Sequence, residues 1–138
     1  MTFLLLALFL LLVLAVLLPG IVHATSVFSQ RRRDAERRAR LLLLDVLAQS
    51  ELAELRALGY LRVPSRRWPN RIYCVPGHQG MVAVYEDGML LERLCVGASG
   101  YLPEGDLLLL HKLMIEANED EYLRVANHFP PRPYSFQV

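Results

Sequence analysis

The sequence predicts an α+β protein: an N-terminal transmembrane helix and a juxtamembrane helix, then a small three-stranded antiparallel meander with C-terminal helices. Three observations predict it. Residues 2–22 carry no charged side chain, six arginines follow between Arg31 and Arg40, and an Asp87-Gly88 hairpin signal sits between two alternating apolar stretches. The expected organisation is an anchor over residues 1–24, a basic juxtamembrane helix over 25–49, a small α+β domain over 50–129 and an extended proline-rich tail over 130–138.

The anchor comes first. An uncharged run of 21 residues from Thr2 to Val22, at ~1.5 Å rise per residue, covers the ~30 Å hydrocarbon core of a bilayer. A cleaved secretory signal is the competing reading, since Pro19-Gly20 breaks the helix and Val22-His23-Ala24 resembles a small-residue cleavage site. No Lys or Arg precedes the apolar run, whereas Arg31, Arg32, Arg33, Arg37, Arg38 and Arg40 follow it. Such flanks resist translocation. They predict an inner-membrane, single-pass chain with its N-terminus outside and its folded domain cytoplasmic. The run holds no GxxxG and no ionisable residue before His23, so it reads as an anchor and not as an ion path or a dedicated dimerisation face.

The juxtamembrane helix is expected to start near Ser26 or Ser29 and run to about Ala48, with Ala35, Ala39, Leu42, Leu43, Val46 and Leu47 on one apolar face. Ser50 opens a second, short helix, with Glu51 and Glu54 near its positive end and Gly59 as a left-handed stop. Beyond Gly59 the period becomes that of strands. Pro64 to Pro69 is a turn or irregular loop, Arg71 to Val75 a short strand, Gly80 to Glu86 a second and Met89 to Val96 a third. Leu107 to Ala117 forms a helix, and Asn118 caps another that runs to about His128. Pro130, Pro131 and Pro133 make the tail polyproline-like.

At 138 residues with a net charge of +1, the chain is large enough for one small domain, roughly 90 residues remaining once the anchor is set aside. The near-neutral balance hides segregation. The arginine block lies early, while Glu116, Glu119, Asp120 and Glu121 cluster late. Fourteen of the fifteen basic residues are arginine, which a GC-rich genome explains as well as selection for guanidinium chemistry does.

Two basic groups carry the candidate contacts. Arg31, Arg32, Arg33, Arg37, Arg38 and Arg40 stand where they would meet anionic lipid headgroups, an attraction worth about 1 kcal/mol per basic residue near a charged leaflet. The plain reading of this block is an orientation signal on a solvated helix. Arg62, Arg66, Arg67 and Arg71 surround Trp68, which two prolines bracket, and arginine with tryptophan is the composition favoured at interface centres. Its plain reading is a surface loop whose tryptophan covers the sheet. Nucleic acid is not expected, because the juxtamembrane block lacks interleaved aromatics.

Chemistry-bearing motifs are absent: no GxSxG, GxGxxG, phosphate loop or HExxH occurs. Cys74 and Cys95 fall on the two outer strands of the predicted meander, about 10 Å apart across the middle one, whereas a disulfide needs Cα atoms within ~7 Å. They read as buried thiols, and His78 and His111 supply no paired metal-ligand spacing with them. Neither a cofactor nor a small-molecule substrate is expected. Leu107, Leu108, Leu109, Leu110, Leu113, Met114 and Ile115 cover almost the whole circumference of one helix, and Leu41 to Leu44 repeats the pattern. Either these surfaces pack on each other and on the sheet, or a partner covers them.

The functional expectation is a non-catalytic accessory or structural subunit of a membrane-embedded complex, respiratory or photosynthetic by base rate alone, with other membrane-protein subunits and the bilayer as its partners. The alternative from another class is a membrane-tethered regulatory module that binds a soluble partner through the Arg62 to Arg71 segment. A small membrane-bound enzyme ranks last.

Overall fold

The computed structural model describes Phe9, residues 28–97 and residues 100–131. The chain divides into two compact units, residues 1–37 and 38–138. Apart from Phe9, the predicted anchor lies outside the described residues, as does the tail beyond residue 131. Among the described residues no helix is long and apolar enough to cross a membrane.

Residues 28–46 form helix α1. There follow α2 (Gln49–Leu58), β1 (Tyr60–Pro64), β2 (Arg71–Pro76), β3 (Val82–Glu86), β4 (Met89–Cys95), α3 (Glu104–Val125) and β5 (Asn127–Phe129). The α+β class is as the sequence predicts, but the sheet is larger. Five strands lie in the order β1-β2-β3-β4-β5, each antiparallel to its neighbour.

Both additional strands are edges, and both are short for a physical reason. β1 ends in Pro64, which donates no backbone hydrogen bond and is tolerated where only one side of a strand is paired. β5 has three residues, all exposed, and is followed by Pro130 and Pro131. It exists because the end of α3 returns the chain to β4, pairing Arg93 with Phe129, Leu94 with His128 and Cys95 with Asn127. The expected helix to His128 therefore stops at Val125, where the Ala126 N–H still reaches the Tyr122 carbonyl at 3.1 Å.

Local chemistry fixes the other boundaries. The Glu51 carboxylate accepts the Ala48 N–H at 2.9 Å and so satisfies an otherwise free donor at the start of α2. Gly59, at φ 76°, ends that helix in the left-handed region. Asp87 (φ 51°) and Gly88 (φ 78°) take the two positive-φ positions of a two-residue hairpin, closing β3 onto β4 with Glu86 opposite Met89. A register shift at Val84/Tyr85 leaves Leu91 as the extra residue of β4. Asn118 (φ −153°, ψ 80°) interrupts α3, and its side-chain oxygen accepts the Glu121 N–H at 3.1 Å, so the expected cap is present inside a continuous but kinked element.

The helices cover one face of the sheet. Leu61, Val63, Tyr73, Val75, Val82, Val84 and Leu94 point to that face and meet Leu52 of α2 and Leu108, Leu109 and Ile115 of α3. Of the expected apolar face of α1, Ala39 and Leu47 are buried and Leu43 partly so, but Leu42 and Val46 are exposed, because only the 39/43/47 stripe meets the core. The leucine-rich circumference of α3 resolves in the same way. Leu113 stays half exposed, while His111 and Lys112 are buried.

Each buried polar group on α3 has a partner. Lys112, the chain's single lysine, lies between Glu51 of α2 at 3.1 Å and Glu116 one turn along α3. His111 Nδ1 and the Tyr122 hydroxyl are 2.8 Å apart, and the Tyr122 ring stands edge-on to Tyr73 with centroids at 6.2 Å. No buried side-chain nitrogen or oxygen among the described residues lacks a hydrogen-bond partner. At the edge, His128 lies between the Glu92 carboxylate at 2.6 Å and the Leu123 carbonyl at 2.8 Å. Both are acceptors, so the ring fills both bonds only when both of its nitrogens carry protons.

Two outcomes follow from this packing. A Cβ on Gly105, at the start of α3, would lie 2.9 Å from the Ala39 carbonyl oxygen of α1. Gly105→Ala therefore forces backbone apart, and urea unfolding should show a loss of about 1–3 kcal/mol. The two structural histidines give opposite pH slopes. Burial lowers the pKa of His111, so the unfolded chain takes up a proton near pH ~6.5 that the folded one refuses, and this contribution is lost as pH falls. The Leu123 carbonyl, then Glu92, raise the pKa of His128. Its contribution is present below pH ~6.5 and is lost as pH rises through the folded value. Unfolding midpoints from pH 5 to 8 should lose the acid-side fall in His111→Gln and the alkaline-side fall in His128→Gln.

Candidate partner-binding site

The residues singled out by the sequence divide among three places. Arg66, Arg67 and Trp68 lie in the loop between β1 and β2, and Arg71 opens β2 beside them. Arg62 does not join them. The alternation of β1 puts it on the sheet face away from the helices, where it pairs with Glu54 of α2. Arg31, Arg32, Arg33, Arg37, Arg38 and Arg40 are all exposed on α1.

The loop is built around Ser65. Its hydroxyl oxygen accepts the N–H groups of Trp68 at 2.9 Å and Arg67 at 3.1 Å, turning the chain immediately after Pro64. The Ser65 N–H donates to the Arg71 carbonyl and the Arg71 N–H to the Trp68 carbonyl, closing the loop at its base. The turn exposes the tryptophan ring to two guanidiniums. The Arg71 guanidinium lies 3.9 Å and that of Arg67 5.0 Å from the ring centroid, both within cation–π range. Arg71 is itself held by Glu86, the Nε bond measuring 2.8 Å, and Arg67 by Asp120.

A buried carboxylate locks this loop to the body. Glu119, just after the kink in α3, is 7% exposed. One carboxylate oxygen accepts the Ser65 hydroxyl at 2.7 Å and the Tyr73 hydroxyl at 2.6 Å, and the other accepts the Arg66 N–H at 3.2 Å. Burial, and next the bond to Glu119, push the pKa of Tyr73 upward, so the phenol keeps the proton it donates. Three donors converge on one anion, which offsets its desolvation without a cation.

What remains for a partner is limited and specific. Between Arg66 and Arg67 on one side and residues 115–120 on the other lies an open depression of about 280 Å³. Arg66 has no ion pair among the described residues, unlike Arg67 and Arg71 beside it. The depression thus presents one uncommitted guanidinium, two residues along the loop from the tryptophan that Arg67 and Arg71 flank.

The other sequence candidates are not gathered. Cys74 on β2 and Cys95 on β4 are free thiols with β3 between them. His78 is exposed in a turn, and His111 is in the core on the opposite side of the sheet from Cys74. Among the described residues no three His, Cys, Asp or Glu side chains are grouped to hold a metal ion. Sequence reasoning missed Glu119, reading it only as one of four late acidic residues. The available signal was Ser65 itself, a turn-forming hydroxyl just after a proline and before two arginines.

Removing the clamp should release the loop. Glu119→Ala leaves the buried Tyr73 hydroxyl without an acceptor, and each such group costs about 1–3 kcal/mol. Trp68 is the sole tryptophan, so its emission reports the loop alone. The expected result is a lower unfolding midpoint together with red-shifted emission in the native baseline. Tyr73→Phe should lose less, and the double variant should show non-additive coupling of about 0.5–3 kcal/mol.

Compared with known proteins, the chain matches no family model, no curated protein and no solved structure.

Proposed function

We propose that the chain is a non-catalytic accessory subunit of a membrane-embedded assembly, with its anchor at residues 1–24 and its domain on the cytoplasmic side of an inner membrane. The observation that carries this reading is the uncharged span Thr2 to Val22 with arginines only on its far side. Two structural features support it. Leu41, Leu42 and Leu44 of α1 and Leu113 of α3 are exposed, and the folded domain supplies no cover for them. The polar groups of the core are engaged in holding the fold, which suits a scaffold that presents surfaces.

A second reading, a membrane-tethered module that recruits a soluble partner, has one observation in its favour. The Arg66/Trp68 corner is rigidly mounted, and its guanidinium is uncommitted, as an interface anchor requires.

Alkaline extraction tests the anchor: the full chain should stay in the membrane pellet, and release into the wash would remove the proposal's foundation. Solubilisation in mild detergent should then yield a particle larger than the monomer, containing other membrane proteins in fixed ratio. A clean monomer would count against the subunit reading. The variant Arg66→Ala/Trp68→Ala separates the two alternatives. Loss of a soluble partner with the membrane particle intact supports recruitment, whereas loss of the membrane particle places its interface at this corner.

A further inference from the structure

Among the described residues the five-stranded sheet has helices on one face only, and its other face is apolar where an open antiparallel sheet is ordinarily polar. Strand register places these residues in rows. Pro64, Ile72, Tyr85 and Leu90 form one row across β1 to β4, with no polar side chain but the tyrosine hydroxyl. The next row reads Arg62, Cys74, Ala83, Arg93, Phe129 across all five strands. All nine residues are partly or fully exposed, Phe129 by 45% and Ile72 by 37%. The two rows hold two arginines and no carboxylate. Arg62 is neutralised from the edge by Glu54, while Arg93 has no ion pair among the described residues.

Resting on the membrane anchoring proposed above, we infer that this bare sheet face lies against the anionic surface of the same bilayer, its apolar row at the headgroup boundary and Arg93 among the lipid phosphates. Two arguments select lipid over protein. Five strands spaced ~4.8 Å apart and a few residues long give a face on the order of 300 Å², well below the ~800 Å² per partner of a stable protein interface. A weak contact of this size is nevertheless occupied when a tether holds it at millimolar effective concentration. The charge argument agrees: two copies pressed face to face would bring guanidiniums together, whereas anionic headgroups complement them.

Cys74 and Cys95 lie on this face and are native reporters. The full chain is placed in nanodiscs of phosphatidylcholine, with or without about one-third phosphatidylglycerol, and labelled with a water-soluble maleimide. Thiol labelling should slow by about threefold or more in the anionic discs. The difference should vanish in Arg93→Glu, whose exposed position leaves the fold intact by circular dichroism. Ser50→Cys, on the helical side, should add a thiol that labels at the same rate in both discs. Equal labelling of Cys74 and Cys95 in both discs would overturn the inference and leave the anchor standing, since incorporation into discs is scored separately. A chain that does not enter discs would overturn both. Disulfide-linked dimers through these thiols on mild oxidation would assign the face to a second copy, and protection confined to native membranes would assign it to a protein subunit. Either result overturns the lipid contact.

Discussion

The arrangement of this domain depends on where one carboxyl group is kept. Glu119 sits at the kink of α3, nearly sealed from water, and its carboxyl oxygens are satisfied there because Ser65, Arg66 and Tyr73 all donate to them. Those three donors come from the β1–β2 loop and from the middle of β2, so a single carboxylate ties helix, loop and sheet together. The kink itself belongs to the same device. Asn118 breaks the helix one residue earlier, which ends the first helical segment and turns Glu119 inward at the start of the second. Trp68 owes its fixed position to this clamp, because the Ser65 hydroxyl that donates to Glu119 also accepts the tryptophan's own N–H.

Local features were legible in the sequence because their causes are local. Gly59 stops α2 through its own positive φ, Asp87-Gly88 closes a two-residue hairpin, and Asn118 caps a helical segment three residues ahead. The α+β class followed from the change of period after Gly59. Features decided by partners far along the chain were hidden. β5 is a strand because Arg93 to Cys95 are waiting for it, and nothing in Asn127-His128-Phe129 alternates. Glu119 meets Ser65 across 54 positions and Tyr73 across 46, so in the sequence it was one acid among several. Arg62 was grouped with Trp68 by proximity in the chain, yet strand alternation sends it to the other face of the sheet.

The domain therefore has two different sides. On the helical side, polar groups are consumed internally: Lys112 by two glutamates, His111 by a tyrosine and Glu119 by three donors. On the sheet side, small and aliphatic residues lie open with little polar relief. A sheet with apolar side chains on both faces departs from the usual open antiparallel sheet, which turns a polar face to water. The exposed leucines of α1 add a second uncovered apolar region, on the helical side.

The burial of Lys112 has a practical side. It is the one primary amine among the side chains, and it is 8% exposed and engaged by two carboxylates. Amine-directed reagents thus find almost no foothold on the folded domain, and proximity maps made with lysine-specific cross-linkers would leave its neighbours out. Guanidinium- and carboxyl-directed chemistries are better suited to this chain, whose other charged side chains are fourteen arginines and fourteen acidic residues.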